Sequence, residues 1–247
     1  MINLSVNVNK IATLRNARGG EIPSVIQAAK TCIDAGAQGI TVHPRKDQRH
    51  IKPHDVYELA EILSVEYNIE GDARPDLIEM VMKVRPDQCT LVPVVAGEVT
   101  SHTVWNLDQE GEKLKPIIQR LKDAGVRVSL FSGIDLHQIE LAKEVGAARI
   151  ELYTAPYAWA KTQTEIDHEF GLLFKAGEKA VSLGLDVNAG HDLDLNNLPR
   201  MQKLPGLLEV SIGHALIADA LYMGLEQAVK AYRSALGQDV EGRNAQG

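Results

Sequence analysis

Cys32–Pro44, CIDAGAQGITVHP, reads as the end of a helix, a glycine stop, a short apolar strand and a titratable side chain where the strand ends. Three more stretches repeat that order: Leu121–Gly133 (LKDAGVRVSLFSG), Ala142–Thr154 (AKEVGAARIELYT) and Ala180–Asp192 (AVSLGLDVNAGHD). Gly36, Gly125, Gly146 and Gly184 stand where a helix must close through left-handed backbone, which a residue without Cβ adopts without penalty. A helix followed within a few residues by a strand, again and again along one chain, makes a parallel sheet with helices outside it.

Working outward, the same reading places strands near 2–8, 39–43, 66–70, 89–93, 126–131, 148–153, 185–189 and 208–212. A helix is expected over Ile22–Ala35, from the spacing of Ile22, Val25, Ile26, Ala29 and Ile33, with Pro23 in its first turn. Ile11–Gly20 closes in a Gly-Gly stop. Eight strands alternating with helices in 247 residues predict an α/β fold, a (β/α)8 TIM barrel, which usually takes roughly 250 residues. The alternative is a doubly wound sheet, which normally brings a G-x-G-x-x-G turn after an early strand, and the sequence has none. One domain over 1–237 is expected, with a polar, disordered tail at 238–247. Val94–Gly111 shows neither periodicity and is read as a lid or binding loop with Thr100 facing the ligand. Thr154–Thr164 carries Tyr157 and Trp159 and is read as a subunit contact, with plain surface packing as the alternative.

Bulk properties narrow the function. The chain is 45% hydrophobic and 24% charged, as a globular α/β domain is. No apolar run is long enough to cross a bilayer, and no basic n-region or cleavage site precedes the first strand, so a soluble cytoplasmic protein is expected. Its two cysteines, Cys32 on a helical pattern and Cys89 at a strand start, read as core residues, not as a disulfide framework or zinc cluster. A net charge of −7 argues against nucleic acid as a partner. Anionic ligands then depend on local basic groups.

In a barrel all C-terminal strand ends open on one mouth. Read in order, those ends carry Asn7 and Asn9, His43, Glu70, Thr100, Glu151, His191, and Gly213 with His214; Arg45, Lys46, Arg49 and His50 follow His43 within a few residues. A core histidine before a solvated basic loop would explain one such stretch. It explains poorly why nearly every strand ends in a polar group. Glu70, after Tyr67-Asn68-Ile69, is expected to be partly buried, which raises a carboxyl pKa toward a useful range for accepting protons. His43 and His191 titrate in the right range to pass protons at two positions. Glu151 suits a developing cation, or a plain ion pair with a nearby Arg or Lys. A glycine-led helix N-terminus at Gly213-His214 suits a phosphate, and Arg45 with His50 a second one. No His-x-His or His-x-x-x-His spacing groups the strand-end histidines His43, His191 and His214 with one another, so no metal is expected. The combination points to a lyase- or synthase-type reaction between phosphorylated carbon compounds.

The motifs IATLRNARG (Ile11–Gly19), GITVHPRKDQRHI (Gly39–Ile51), NIEG (Asn68–Gly71), GEVTS (Gly97–Ser101), IELYT (Ile150–Thr154), VNAGH (Val187–His191) and IGHALI (Ile212–Ile217) resemble those of the pyridoxine 5′-phosphate synthase family of vitamin B6 biosynthesis. The resemblance runs from about Leu4 to about Val229. It implies a cofactor-free transferase assembled as a homo-oligomer, an octamer built from dimers, with no membrane partner. Its two phosphorylated substrates would be 3-amino-2-oxopropyl phosphate and 1-deoxy-D-xylulose 5-phosphate, condensed to pyridoxine 5′-phosphate with release of phosphate and water. It further implies His43 and Glu70 as proton acceptors, His191 as proton donor and Glu151 as stabiliser of charged intermediates. Asn7, Arg18, Asp192, Gly213 and His214 would surround the amino ketone phosphate, and Asn9, Lys10, Arg45, His50 and Thr100 the xylulose phosphate. The chain departs from the family pattern at three points. Asn7-Val8-Asn9-Lys10 replaces the commoner Asn-x-Asp-His, Val94 replaces an acidic residue, and Asp192 stands where glycine is common. Two rival readings stay open: a Schiff-base aldolase using Lys10, and a non-enzymatic phosphate sensor.

Overall fold

The computed structural model describes residues 1–93 and 102–240. Thr100 and Val94, and the tail from 241 onward, lie outside the described residues. The first half runs β1 (Asn3–Asn7), α1 (Asn9–Asn16), α2 (Val25–Asp34), β2 (Gly39–Val42), α3 (Pro53–Ile62), β3 (Glu66–Gly71), α4 (Pro75–Val84) and β4 (Gln88–Leu91). The second runs α5 (Leu107–Asp123), β5 (Arg127–Ser132), α6 (Leu136–Glu144), β6 (Arg149–Tyr153), α7 (Ala155–Trp159), α8 (Gln163–Ser182), β7 (Asp186–Gly190), α9 (Leu198–Met201), β8 (Leu207–Ile212), α10 (His214–Met223) and α11 (Leu225–Ala235). Each strand pairs in parallel with the next and β8 closes on β1, Leu4 opposite Val210, so the sheet is a closed (β/α)8 barrel.

Strand alternation sorts the side chains. Leu4, Val6, Ile40, Val42, Ile69, Leu91, Val128, Leu130, Ile150, Leu152, Val187 and Val210 are all but inaccessible and pack between sheet and helices. Each such burial stabilises the fold by about 1.5–3 kcal/mol. The opposite face of the same strands, which lines the barrel, is polar where branched apolar residues are usual. Ser5 bonds Thr41 at 2.7 Å, Thr90 donates to Asn68 at 3.1 Å, and Arg149 reaches Gln88 at 3.2 Å and Asn188 at 3.4 Å. Arg127 and Arg149 both pair with Glu66.

The four glycine stops have the expected positive φ, from 68° at Gly184 to 95° at Gly146. At Gly36 a Cβ would also strike the Arg233 guanidinium, which itself donates to Ala35 O. Cys32 and Cys89 are fully buried, as read from sequence.

Five expectations need correction. The first outer helix begins at Val25, with Ser24 capping Gln27 N at 3.2 Å, so Ile22 and Pro23 precede it and Ile22 is exposed. The segment ending at Gly111 is not all loop, because α5 starts at Leu107. Its helical spacing is masked by Gly111, which lets α5 sit against Val145, and by an internal Pro116. Of the two aromatic residues in Thr154–Thr164, Trp159 is exposed, whereas Tyr157 is buried in α7 and donates to Asn197 O at 2.7 Å. Glu70 is buried outright rather than partly. Gln238, numbered with the tail, packs at the N-terminal end of the barrel, where its amide donates to Ile2 O at 2.7 Å.

Candidate active site

The C-terminal strand ends enclose a cavity of about 470 Å3. Asn7, Asn9, Lys10, His43, Arg45, His50, Glu70, Glu151, His191, Asp192, Gly213 and His214, scattered through the chain, all line it. Arg18 does not: it is exposed in the turn after α1, away from the cavity wall.

One wing is built by β1 to β3. Asn7 accepts from Asn9 N at 3.0 Å, and Asn9 accepts from His43 N at 2.9 Å, so the end of β1 fixes the end of β2. The basic loop beyond His43 is held from below. Arg15 and Asp55, both buried, pair; Arg15 and Asn16 donate to His50 O, the latter at 2.7 Å. Arg74 donates to Pro44 O at 2.6 Å. His50 Nδ1 accepts from Ile51 N at 3.0 Å, which makes Nε2 the proton-bearing nitrogen of the neutral ring. Burial, and then the charges of Arg45 and Lys10, push the His50 pKa down to about 4. His50 therefore offers an N–H donor among cations without adding charge at neutral pH.

His43 Nδ1 lies 3.8 Å from Glu70 Oε2. Burial, followed by the fields of His50 and Arg45, lowers the His43 pKa to about 3, well below the near-neutral range expected from the sequence, so this ring is a neutral base. Burial raises Glu70 to about 8; a hydrogen bond from Ser211 at 3.4 Å opposes the shift and the charge of Glu209 adds to it. Glu151 is raised well above the usual carboxyl range by burial and by Glu70. Among the described residues five buried side-chain polar atoms have no hydrogen-bond partner, on His43, Ser129, Arg149, Glu151 and Glu209, and of these His43 Nε2 and Glu151 Oε2 belong to residues that line the cavity. Buried polar atoms normally have one, so these two stand ready for a ligand. Gly190 makes room for Glu151, because a Cβ there would overlap its Oε1.

The other wing is strained. His191 and Asp192, just past β7, have φ of 88° and 58°, which for non-glycine residues costs on the order of 1–3 kcal/mol. Thr154 Oγ1 lies 2.6 Å from both Gly190 O and His191 O and pins that bend. His191 Nδ1 is 3.5 Å from Asp192 Oδ2, and that contact, ahead of the opposing effect of burial, holds the Asp192 pKa down. Gly213 caps α10 and sits against Asn7, whose Cβ would lie 3.1 Å from any Cβ placed there.

Several of these groups escape the sequence reading. Ser211 and Tyr153 were findable by counting two along the strand from Glu209 and Glu151, which share their faces. Arg15, Asn16, Asp55 and Arg74 carry no such signal, since their role depends on α1, α3 and the N-cap of α4 meeting the loop in space.

Polar strand ends gathered around such a mouth place the chain in the broad class of (β/α)8 barrel enzymes. Comparison with solved structures agrees at the level of fold. Phosphoribosylanthranilate isomerase from Thermotoga maritima superposes with a TM-score of 0.61 at 12% identity, covering 96% of this chain and 99% of that one. KGPDC from Streptococcus mutans gives 0.64 at 11%, covering 96% and 98%. Sequence comparison goes further: residues 4–238 match the model of the pyridoxal phosphate biosynthesis protein PdxJ, and the chain belongs to that family. A relative from Parabacteroides distasonis, named pyridoxine 5′-phosphate synthase, is 48% identical over 96% of this chain and 99% of its own length. One of the same name from Leptospira biflexa is 49% identical over 96% of this chain and 97% of its own.

Proposed function

We propose that this protein is a pyridoxine 5′-phosphate synthase, joining 3-amino-2-oxopropyl phosphate to 1-deoxy-D-xylulose 5-phosphate with loss of phosphate and water. The observation that carries the reading is the pair of unpartnered buried atoms, His43 Nε2 and Glu151 Oε2, facing one cavity with Glu70 and His191. Imine formation, dehydration, phosphate expulsion and ring closure are successive proton transfers, and general acid–base groups supply them. His43, neutral, takes protons on one side of the substrates. Glu70 takes them once ionised, and a cationic imine in the cavity favours its ionised form. Glu151 balances the positive charge of that intermediate, and His191 donates.

Arg45 and His50 receive the phosphate that leaves, with Asn9 and Lys10 on the same wing. The retained phosphate sits on the N-terminus of α10 at Gly213 and His214, where backbone N–H groups and the helix dipole favour an anion. Asn7 and Asp192 complete that side, the Asp192 carboxylate turned to His191. Thr100 and Arg18 belong to the same proposal through the family pattern, Arg18 from outside the cavity wall. Homo-oligomeric assembly as an octamer built from dimers and a cytoplasmic location go with it. Among the described residues no helix is long and apolar enough to cross a membrane.

Lys10 lies exposed at the cavity rim, which disfavours it as a Schiff-base nucleophile, since such lysines work desolvated. The test is to mix purified protein with both substrates and identify the product by mass and absorbance, with His43→Asn alongside. Pyridoxine 5′-phosphate from the wild type and about 100-fold less from the variant is the expected result. A borohydride-stable adduct on Lys10 without that product would refute the proposal in favour of the aldolase.

A further inference from the structure

His191 is enclosed on its outer side by rings. Tyr153 meets it edge-to-face at 5.2 Å between centroids, His102 lies at 6.0 Å and Phe131 at 6.1 Å. His102 enters from the segment before α5, packs on Trp159 at 5.9 Å and has its Nδ1 2.9 Å from the Tyr153 hydroxyl. That bond ties the approach to α5 to the end of β6, and the ring contact with Trp159 ties the same histidine to α7. His191 itself has left-handed backbone and a 3.5 Å contact to Asp192 beside its Nδ1. The three rings bound the orientations its imidazole can take.

We propose that Tyr153 and His102 form a positioning pair, in which the bond between them fixes the Tyr153 ring, and the ring in turn fixes the imidazole plane of His191 for proton donation. This inference rests on the reading of His191 as proton donor. Neither residue needs to touch substrate. Their contribution is orientation, and a misdirected donor lowers turnover more than binding.

Steady-state kinetics on four variants decide it. Tyr153→Phe keeps the ring and loses the hydroxyl; His102→Ala loses the other partner. Each is expected to lower kcat about tenfold with KM for both substrates unchanged. The double variant should be no worse than the poorer single, since both remove one bond. His102→Asn, whose amide can occupy the place of Nδ1, should recover most of the loss. Effects that multiply in the double variant, a loss seen in KM alone, or an Asn variant no better than Ala would overturn the pair.

A second readout needs no turnover. The ring 15N resonances of His191 should be sharp in the wild type and broadened by exchange in Tyr153→Phe; identical spectra would overturn the proposal. His191→Asn separates the two levels. If it is inactive while Tyr153→Phe and His102→Ala match the wild type, the positioning pair falls and the donor stands. If it turns over normally, the donor reading falls instead, and the ring spectra judge the positioning by themselves.

Discussion

The floor and the mouth of this barrel both bury charge, and they treat it differently. At the floor Glu66 lies between Arg127 and Arg149, and both guanidinium groups also reach Gln88. At the mouth, among the described residues, Glu70 and Glu151 form no ion pair with a guanidinium or ammonium; Glu70 has Ser211 and a neutral His43. Glu209, two residues before Ser211 on the same strand face, is the step between them. One of its oxygens accepts from Asn188 at 3.1 Å, and burial raises its pKa to about 8. A buried charge with an opposite partner contributes to a defined fold, whereas one without a partner costs stability and persists where chemistry uses it. The difference predicts that floor substitutions lower stability and leave turnover intact, and that mouth substitutions do the reverse.

The largest effect expected is on turnover. Glu70→Gln keeps the shape and removes the base, and should lower kcat/KM by about 1,000-fold, within the range for acid–base groups. In the wild type kcat/KM should rise with pH through an apparent pKa near 8, the value of Glu70 in the empty site, and the variant should lack that rise. At the floor, Arg149→Met leaves Glu66 with one guanidinium and Asn188 without a cation. Urea unfolding should show a loss of about 3 kcal/mol, with turnover per folded molecule unchanged. A variant as stable as the wild type but inactive would reverse the comparison.

Gly190→Ala sharpens the boundary between the regions. Its Cβ collides with Glu151, so the carboxyl must move, and a drop of about tenfold in kcat is expected in an assay at saturating substrate. The last effect is thermal. The Glu70 carboxyl ionises at 4.5 in an unexceptional setting and at about 8 when folded. The folded state therefore holds the proton more tightly, a contribution fully present below pH 4.5 and lost as pH rises through 8. Glu70→Gln cannot ionise, so its melting temperature should match the wild type near pH 4.5 and exceed it at pH 9. Equal melting temperatures at both pH values would contradict the burial of an unpaired carboxyl.

The fold was legible because the αβ joint is local. A glycine stop and an apolar run lie within a few residues of each other, and the strands so placed fall within a residue or two of those observed. Helix starts were less so: Ser24, not Pro23, ends the approach to α2, and Gly111 with Pro116 hides the first turn of α5. The mouth residues were legible because they stand at strand ends, and a closed barrel brings all such ends together. What holds them was not. Arg15 and Asp55 are 40 positions apart, and His102 and Tyr153 are 51 apart, so no spacing rule connects them. The polar floor follows from strand alternation, but alternation alone does not say which face of a barrel strand turns inward.

The most direct measurement is a phosphorus NMR time course of the wild-type protein with 3-amino-2-oxopropyl phosphate and 1-deoxy-D-xylulose 5-phosphate. The account predicts that both substrate resonances decay together while inorganic phosphate and a single new phosphate ester grow in equal amounts. Decay of one substrate alone, or release of phosphate without the new ester, would contradict it.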